Sequence, residues 1–430
     1  MNNTKIMLVY EHRRREIDYL VFLKIKLEDA GFQCRIASIS YSFMKTLTAF
    51  VPDLLFMPWG YDTRFIQAAR KVNPNIIVID SHAEQIMDKT TLYDVLRNNT
   101  IKVSDYHLSW GEKFKNDYLD GVEEFSYIVG NSRMDLYKKP YNQIYSSDIK
   151  SKYGLECKKV ILFPMSFNIV YYKTHEMETL EKEMPNIYKE RDENIDQLTQ
   201  ITSYITQYIE NNKNDDYVFV LRPHPAEPLE EVQKRFPKLD QLKIIYGDGI
   251  QGWILQSDVI FAWTSTTIMD AFMNNKPCWL VDAVDTRYSK LSHFAYAKSI
   301  KTYDQFENAL NLCLNHNYDE TAYWHVDEFN SFIEDNFGPN DGMSFERTAE
   351  AIKNMVSKEA RRLADHTDFP QQIINKEKCK ERIKTILAEL NILNRVSRWN
   401  KLQEEYISKR ALVEMEQKYK RYLREPLYAK

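Results

Sequence analysis

The sequence predicts an α/β protein built from two doubly wound, Rossmann-like domains and a helical tail. Short apolar, β-branched runs such as Lys5–Tyr10, Lys159–Met165, Tyr217–Leu221 and Cys278–Val281 alternate with amphipathic helical stretches, the pattern of parallel strands joined by crossover helices. The alternation occurs twice, on either side of the polar segment 137–158 with its Pro140 and Ser146-Ser147. At 430 residues the chain is also too long for one ordinary domain. The expected division is 1–140, 158–340, a crossing helix and connection at 341–375, and a tail at 376–430. The first half lacks Gly-x-Gly-x-x-Gly, and no Gly-x-x-x-x-Gly-Lys-Ser/Thr occurs, so dinucleotide and P-loop readings lose support.

Lys5–Tyr10 reads as the first strand because it is apolar throughout its middle and leads into the polar Glu11-His-Arg-Arg-Arg15. A helix through Ile17–Leu27 stops at Gly31. Gln33–Ile39 and Asp53–Met57 read as strands, Thr63–Lys71 as a helix, and Asn75–Asp80, Tyr106–Ser109 and Phe125–Val129 as further strands. In the second half the order is strand 159–165, helix 191–211, strand 217–221, strand 242–246, short helix 249–256, strand 258–263, helix 268–275 and strand 278–281. Phe345–Lys358 is an amphipathic helix after the turn Gly338-Pro-Asn-Asp-Gly342.

Composition limits the class. The chain is 43% hydrophobic and 28% charged, with no run near the roughly 20 apolar residues of a membrane span. No secretory apolar region follows Met1, and the five cysteines are scattered without a Cys-x-x-Cys pair. A reducing cytoplasm, with neither disulfide framework nor zinc site, is the expectation. The net charge of −4 conceals an asymmetry: residues 376–430 carry 15 Lys and Arg against 8 Asp and Glu, leaving the first 375 residues at −11. Such a body is not expected to bind nucleic acid.

Two motifs carry chemistry. In Tyr217-Val-Phe-Val-Leu-Arg-Pro-His-Pro225 a strand ends abruptly at two prolines, which hold Arg222 and His224 stiffly at the carboxyl end of a parallel strand. Open α/β sheets bind ligands at that end, and an Arg and a His suit a phosphate. In Val259-Ile-Phe-Ala-Trp-Thr-Ser-Thr-Thr-Ile-Met-Asp270 a strand ends in hydroxyl residues, and a helix follows. Taken alone, Ser265, Thr266 and Thr267 read as capping residues, and the His-Pro loop as a rigid connection. Together, in one domain, they suggest two arms around one phosphate.

Leu221-Arg-Pro-His-Pro225 with Ser265-Thr-Thr-Ile-Met-Asp-Ala271 and Asn275-Lys-Pro277 resembles bacterial surface-carbohydrate biosynthesis proteins of glycosyltransferase-B fold. These are akin to CDP-glycerol glycerophosphotransferases and to bacterial sialyl- and Kdo-transferases. Glu11-His-Arg-Arg-Arg-Glu16, Trp110-Gly-Glu112 and Gly130-Asn-Ser-Arg-Met-Asp135 add to the resemblance, which spans roughly residues 5–356. Relatives usually carry Glu where Asp270 stands. The resemblance implies an acceptor-side first domain facing a nucleotide-binding second domain across a cleft. It also implies that His224-Pro225 and Ser265-Thr266-Thr267, with Arg222, hold a cytidine nucleotide's phosphate.

Transfer from such a donor needs fixed positive groups at the leaving phosphate and a base at the acceptor hydroxyl. His224 is expected to serve the first need. No Asp-x-Asp occurs, so no metal-bridged pyrophosphate and no metal or other cofactor is expected. Glu84 is the candidate base, resembling the relatives' carboxylate motif only loosely, with His82 as runner-up. Arg13 and Arg14 are candidate contacts to an acidic acceptor, against a plain basic helix start. The function expected is inverting transfer of a CMP-activated acidic sugar, of nonulosonic acid or Kdo type, to a surface glycan or lipid-linked acceptor. The alternatives are CDP-alditol glycerophosphotransferase-like chemistry, a UDP-sugar 2-epimerase, or a non-catalytic glycan-assembly partner.

The tail shows an apolar stripe at Ile383, Ile386, Leu387, Leu390 and Leu393 among dense Lys and Arg. It reads as a helix packed on the chain's own body or forming a homodimer. The other reading is a peripheral contact to the anionic inner face of the cell membrane.

Overall fold

The computed structural model describes residues 4–59, 63–83, 103–119, 121–145, 149–182, 184–224, 226–284, 286, 294–316, 319, 322–324, 326–358, 369–393 and 400–424. The chain forms two compact α/β units, one of Met1–Ile144 with Ser331–Lys430 and the other of Tyr145–Asn330.

The first unit contains β1 (Lys5–Tyr10), α1 (Arg13–Asp29), β2 (Gln33–Ser38), α2 (Phe43–Phe50), β3 (Leu54–Met57), α3 (Thr63–Val72), β4 (Ile77–Asp80), β5 (Tyr106–Ser109), α4 (Glu112–Tyr118), β6 (Ser126–Ile128) and the single turn α5 (Ser132–Asp135). The strands are parallel in the order β2-β1-β3-β4-β5-β6. Ile6–Val9 are fully buried, as befits a strand covered on both faces. The chain runs outward from β1 to β2 and returns to β3, so the strand order reverses between β1 and β3. At that point Trp59 Nε1 donates to Glu11 Oε2 at 2.5 Å. Helix α2 has no counterpart in the sequence reading. It is eight residues long, and its Phe43, Met44, Leu47 and Phe50 are buried.

The second unit contains β7 (Lys159–Pro164), α6 (Ile187–Asn211), β8 (Tyr217–Arg222), α7 (Leu229–Arg235), β9 (Leu242–Ile244), α8 (Ile250–Gln256), β10 (Val259–Ala262), α9 (Thr267–Met273), β11 (Cys278–Val281), β12 (Ser299–Ile300) and α10 (Tyr303–Leu314). Its strands are also all parallel, in the order β12-β11-β10-β7-β8-β9. Here the order reverses between β7 and β10. Both strands are buried along their length, apart from the half-buried Lys159.

The chain from Ser331 onward belongs to the first unit. Helix α11 (Ser344–Met355) packs on α1 and α5, and its first turn is held by Asp135, whose Oδ2 accepts from Phe345 N at 2.8 Å. Three tail helices follow: α12 (Gln371–Glu389), α13 (Asn400–Glu405) and α14 (Lys409–Arg424). They pack on the chain's own body. The Glu381 carboxylate accepts from Met44 N at 2.7 Å and Lys45 N at 3.0 Å, capping α2. Glu405 accepts from Arg13 N at the start of α1 and lies 3.2 Å from His12 Nδ1. Tyr419 stacks on Phe22 at 4.6 Å, and its hydroxyl donates to Asp18. The Glu381 and Glu405 carboxylates each meet orphan N–H groups where the helix dipole favours negative charge.

Only part of the expected apolar stripe packs inward, Leu393 being buried with Leu387 beside it. Ile383, Ile386 and Leu390 are 53%, 46% and 62% exposed, whereas Ile374, Glu381, Ala388 and Leu393 point inward. The face that docks therefore has a carboxylate at its centre, because the surface it meets presents unpaired helix N–H groups. No helix among the described residues is long and apolar enough to cross a membrane.

Candidate phosphate-binding and catalytic residues

In the second unit the His-Pro loop leaves β8 and the hydroxyl loop leaves β10, and these strands flank β7 on either side. Neighbouring strands lie about 4.8 Å apart, which brings the two loops to within about 10 Å at the carboxyl edge. This is also where the strand order reverses, the usual ligand position of an open parallel sheet.

His224 is exposed, and its Nδ1 accepts from Ala226 N at 3.1 Å. That bond fixes the tautomer of the neutral ring, with the proton on Nε2. The loop is set by Glu227, a residue the sequence reading passed over. Glu227 is 2% exposed; one carboxylate oxygen accepts from Phe167 N, after β7, and the other from His224 N at 3.1 Å. Burial pushes its carboxyl up to about 7, while the two N–H bonds pull the other way. Arg222 spends its fork on backbone carbonyls, donating to Ile245 O at 3.1 Å, Asp248 O at 2.6 Å and Gly247 O. It thus shapes the turn after β9. Asp248 has φ +67° and accepts from Lys152 Nζ at 2.9 Å and Tyr153 Oη at 2.8 Å. Pro225 lies outside the described residues.

Thr264 has φ +44°, an uncommon conformation for a β-branched side chain, and stands just before the hydroxyl run. Ser265 Oγ donates to Thr267 Oγ1 at 3.0 Å and accepts from Thr267 N at 3.3 Å, while Thr266 is exposed. Ser265 and Thr267 therefore brace the turn, and Thr266 is the exposed residue between them.

In the first unit, candidate His82 follows β4, with φ +44° and 2% exposure. Its Nδ1 lies 3.5 Å from Asp80 Oδ1, and its Nε2 lies 3.1 Å from His107 Nδ1 on β5. The register that pairs Asp80 with His107 creates this carboxylate–imidazole–imidazole chain. These are the described residues with a donor set that could ligate a metal ion. In the observed geometry the two nitrogens of His82 face opposite partners, an arrangement suited to a hydrogen-bonded relay. Glu84 lies outside the described residues. Arg13 and Arg14 occupy the first turn of α1, and the Arg13 guanidinium donates to Tyr406 O at 2.9 Å.

The Gly130–Asp135 motif is explained by close packing. Gly130 has φ +80°, and a Cβ there would lie 2.5 Å from Ser344 Oγ. Burial raises the Asp135 carboxyl to about 7, against the lowering effect of its bond from Phe345 N. Asn131 Oδ1 caps α5 by accepting from Arg133 N at 3.0 Å.

No protein-family model and no curated protein sequence matches the chain. Solved structures do resemble it. The Staphylococcus aureus MnaA–UDP structure superposes with TM-score 0.55 at 17% identity, covering 82% of this chain and 97% of that one. The Neisseria meningitidis UDP-GlcNAc 2-epimerase bound to UDP-GlcNAc gives 0.53 at 13%, covering 82% and 100%. The wall teichoic acid polymerase TagF soaked with CDPG gives 0.52 at 12%, covering 82% and 88%. At these identities the likeness is one of fold: two Rossmann-like units of glycosyltransferase-B type with a helical C-terminal region.

Proposed function

We propose that the chain is a glycosyltransferase that moves a CMP-activated acidic sugar, of nonulosonic acid or Kdo type, onto a surface glycan or lipid-linked acceptor. The observation that carries this reading is the pair of loops on either side of β7, one with His224 held by Glu227 and the other with the hydroxyls of residues 265–267. In the proposed reaction the bond from the anomeric carbon to the phosphate oxygen breaks and CMP leaves. The acceptor oxygen bonds to that carbon from the opposite face, and its proton passes to the base. His224 Nε2–H and the Thr266 hydroxyl would meet the charge growing on the phosphate. Arg222 contributes by holding the 245–248 turn.

Glu84 remains the proposed base. The burial of His82 and its engagement with Asp80 and His107 favour a supporting role for the imidazole. An acidic acceptor reaching Arg13 would have to displace the Glu405–Tyr406 segment. Reaction at the cytoplasmic face of the membrane suits a lipid-linked acceptor and is part of the proposal.

Two other readings keep specific support. The likeness to UDP-GlcNAc 2-epimerases favours UDP-sugar epimerisation, and that to TagF favours a CDP-alditol donor. Thermal unfolding with CMP, CDP, UDP and GDP tests all three, since a ligand of the native state raises stability by RT ln(1 + [L]/Kd). A rise with CMP is expected. A rise with UDP alone would overturn cytidine specificity in favour of the epimerase, and a rise with CDP alone would favour the alditol donor.

A further inference from the structure

The first unit contains a small recess of about 30 Å³ at the carboxyl ends of β4, β5 and β6, lined by Ser81, Trp110, Asn131 and Arg133 among others. Two polar groups on its wall have no use in the fold. Asn131 is 3% exposed; its Oδ1 caps α5, which turns Nδ2 away, and Nδ2 is buried with no hydrogen-bond partner. The Arg133 guanidinium lies 5.5 Å from the Trp110 ring, and its Nε is buried without a partner. Buried donors are normally satisfied, and leaving one unmade is costly. Other members of the motif are occupied by the packing: Gly130 lets α11 approach, Ser132 meets Thr348 at 3.3 Å, and Asp135 caps α11. The acids nearest in the chain are committed elsewhere. Asp80 accepts from His82 N, and Asp135 from Phe345 N.

From this geometry we infer that the recess binds an oxyanion carried by a sugar, with Asn131 Nδ2 and the Arg133 guanidinium as donors. The donor set is cationic and lacks a free carboxylate, which selects an anion over a neutral sugar. Trp110 is covered by Phe337 at 5.5 Å as well as by Arg133, so it offers no free face for stacking. The enclosed space, about 30 Å³, suits the anionic group itself, with the sugar that carries it lying outside the recess. The inference rests on the sugar-transfer reading only in choosing a sugar as the carrier of the anion.

Calorimetric titration of the full chain, without nucleotide, tests it with glucuronate, glucose 6-phosphate and glucose as probes. Asn131→Asp keeps the capping oxygen and replaces the donor by a charge that repels the ligand; Arg133→Met keeps the packing on Trp110. Binding of glucuronate or glucose 6-phosphate but not glucose, weakened tenfold or more in both variants, is the expected result. Preference between the two acids identifies a carboxylate or a phosphate as the native group. Equal binding of glucose and the acids, or affinity unchanged in both variants, overturns the site. Should a variant fail to fold, the wild-type Arg133 Nε–H resonance decides, since it must shift with glucuronate and stay fixed with glucose. Loss of the glucuronate response while CMP still stabilises the protein overturns this site alone. The converse overturns only the nucleotide reading.

Discussion

Replacing Glu227 with Gln should change how stability depends on pH. In the native protein burial holds the Glu227 carboxyl protonated up to about pH 7, whereas in the unfolded chain it ionises near 4.5. The native state therefore binds the extra proton between these values. Its stabilising effect is complete below pH 4.5 and is lost as pH rises through 7. At 1.36 kcal/mol per pKa unit, the loss across that window is about 3 kcal/mol. Glutamine does not titrate. It can also accept from only one of Phe167 N and His224 N, which adds a pH-independent cost of about 1–3 kcal/mol. Urea unfolding of both proteins from pH 5 to 8 isolates the effect, because Asp135, raised in the same direction, is common to both and cancels. The stability of wild type relative to variant should fall by about 3 kcal/mol over the range. A constant difference would refute the reasoning, showing that the two N–H bonds fully offset burial.

Three further outcomes are expected. His224→Ala should lower transfer from a cytidine-linked donor by 10²–10³-fold with little change in melting temperature, because Glu227 and not the imidazole sets the loop; wild-type kinetics would remove His224 from the site. Glu84→Gln should abolish turnover while leaving nucleotide affinity intact, and turnover within a few-fold of wild type would pass the role to His82 or another group. Glu381→Ala should destabilise the protein by about 1–2 kcal/mol in thermal unfolding, since two N–H groups of α2 lose their acceptor; an unchanged melting temperature would make the cap redundant.

What could be read from the sequence was what is encoded locally. Lys5–Tyr10 and Cys278–Val281 match their strands residue for residue, because a strand buried on both faces is an unbroken apolar run. The His224 loop was legible because prolines fix their own backbone. Helix α2 was not, since eight residues give barely two turns of periodicity and its cap, Glu381, lies far along the chain. The tail stripe misled for a related reason: an apolar residue can face solvent, and Ile383 and Leu390 do, while a glutamate takes the buried position. Glu227, His107 and the leftover donors of Asn131 and Arg133 acquire meaning only when other strands and loops are brought beside them. A glutamate before a proline and a histidine within an apolar strand were the only hints available.

The capping of α1 and α2 by tail carboxylates has a consequence for biosynthesis. The first unit begins with residue 1 but receives its last helix caps from Glu381 and Glu405. On the ribosome its sheet emerges well before those carboxylates, so the amino-terminal segment must wait with two helix starts uncapped and Phe22 lacking its stacking partner Tyr419. The second unit is continuous from 145 to 330 and can close while the first is still incomplete. The first unit can therefore be completed only after the second has been synthesised. A chain truncated by even a few tens of residues would leave its opening domain, not its end, unfinished.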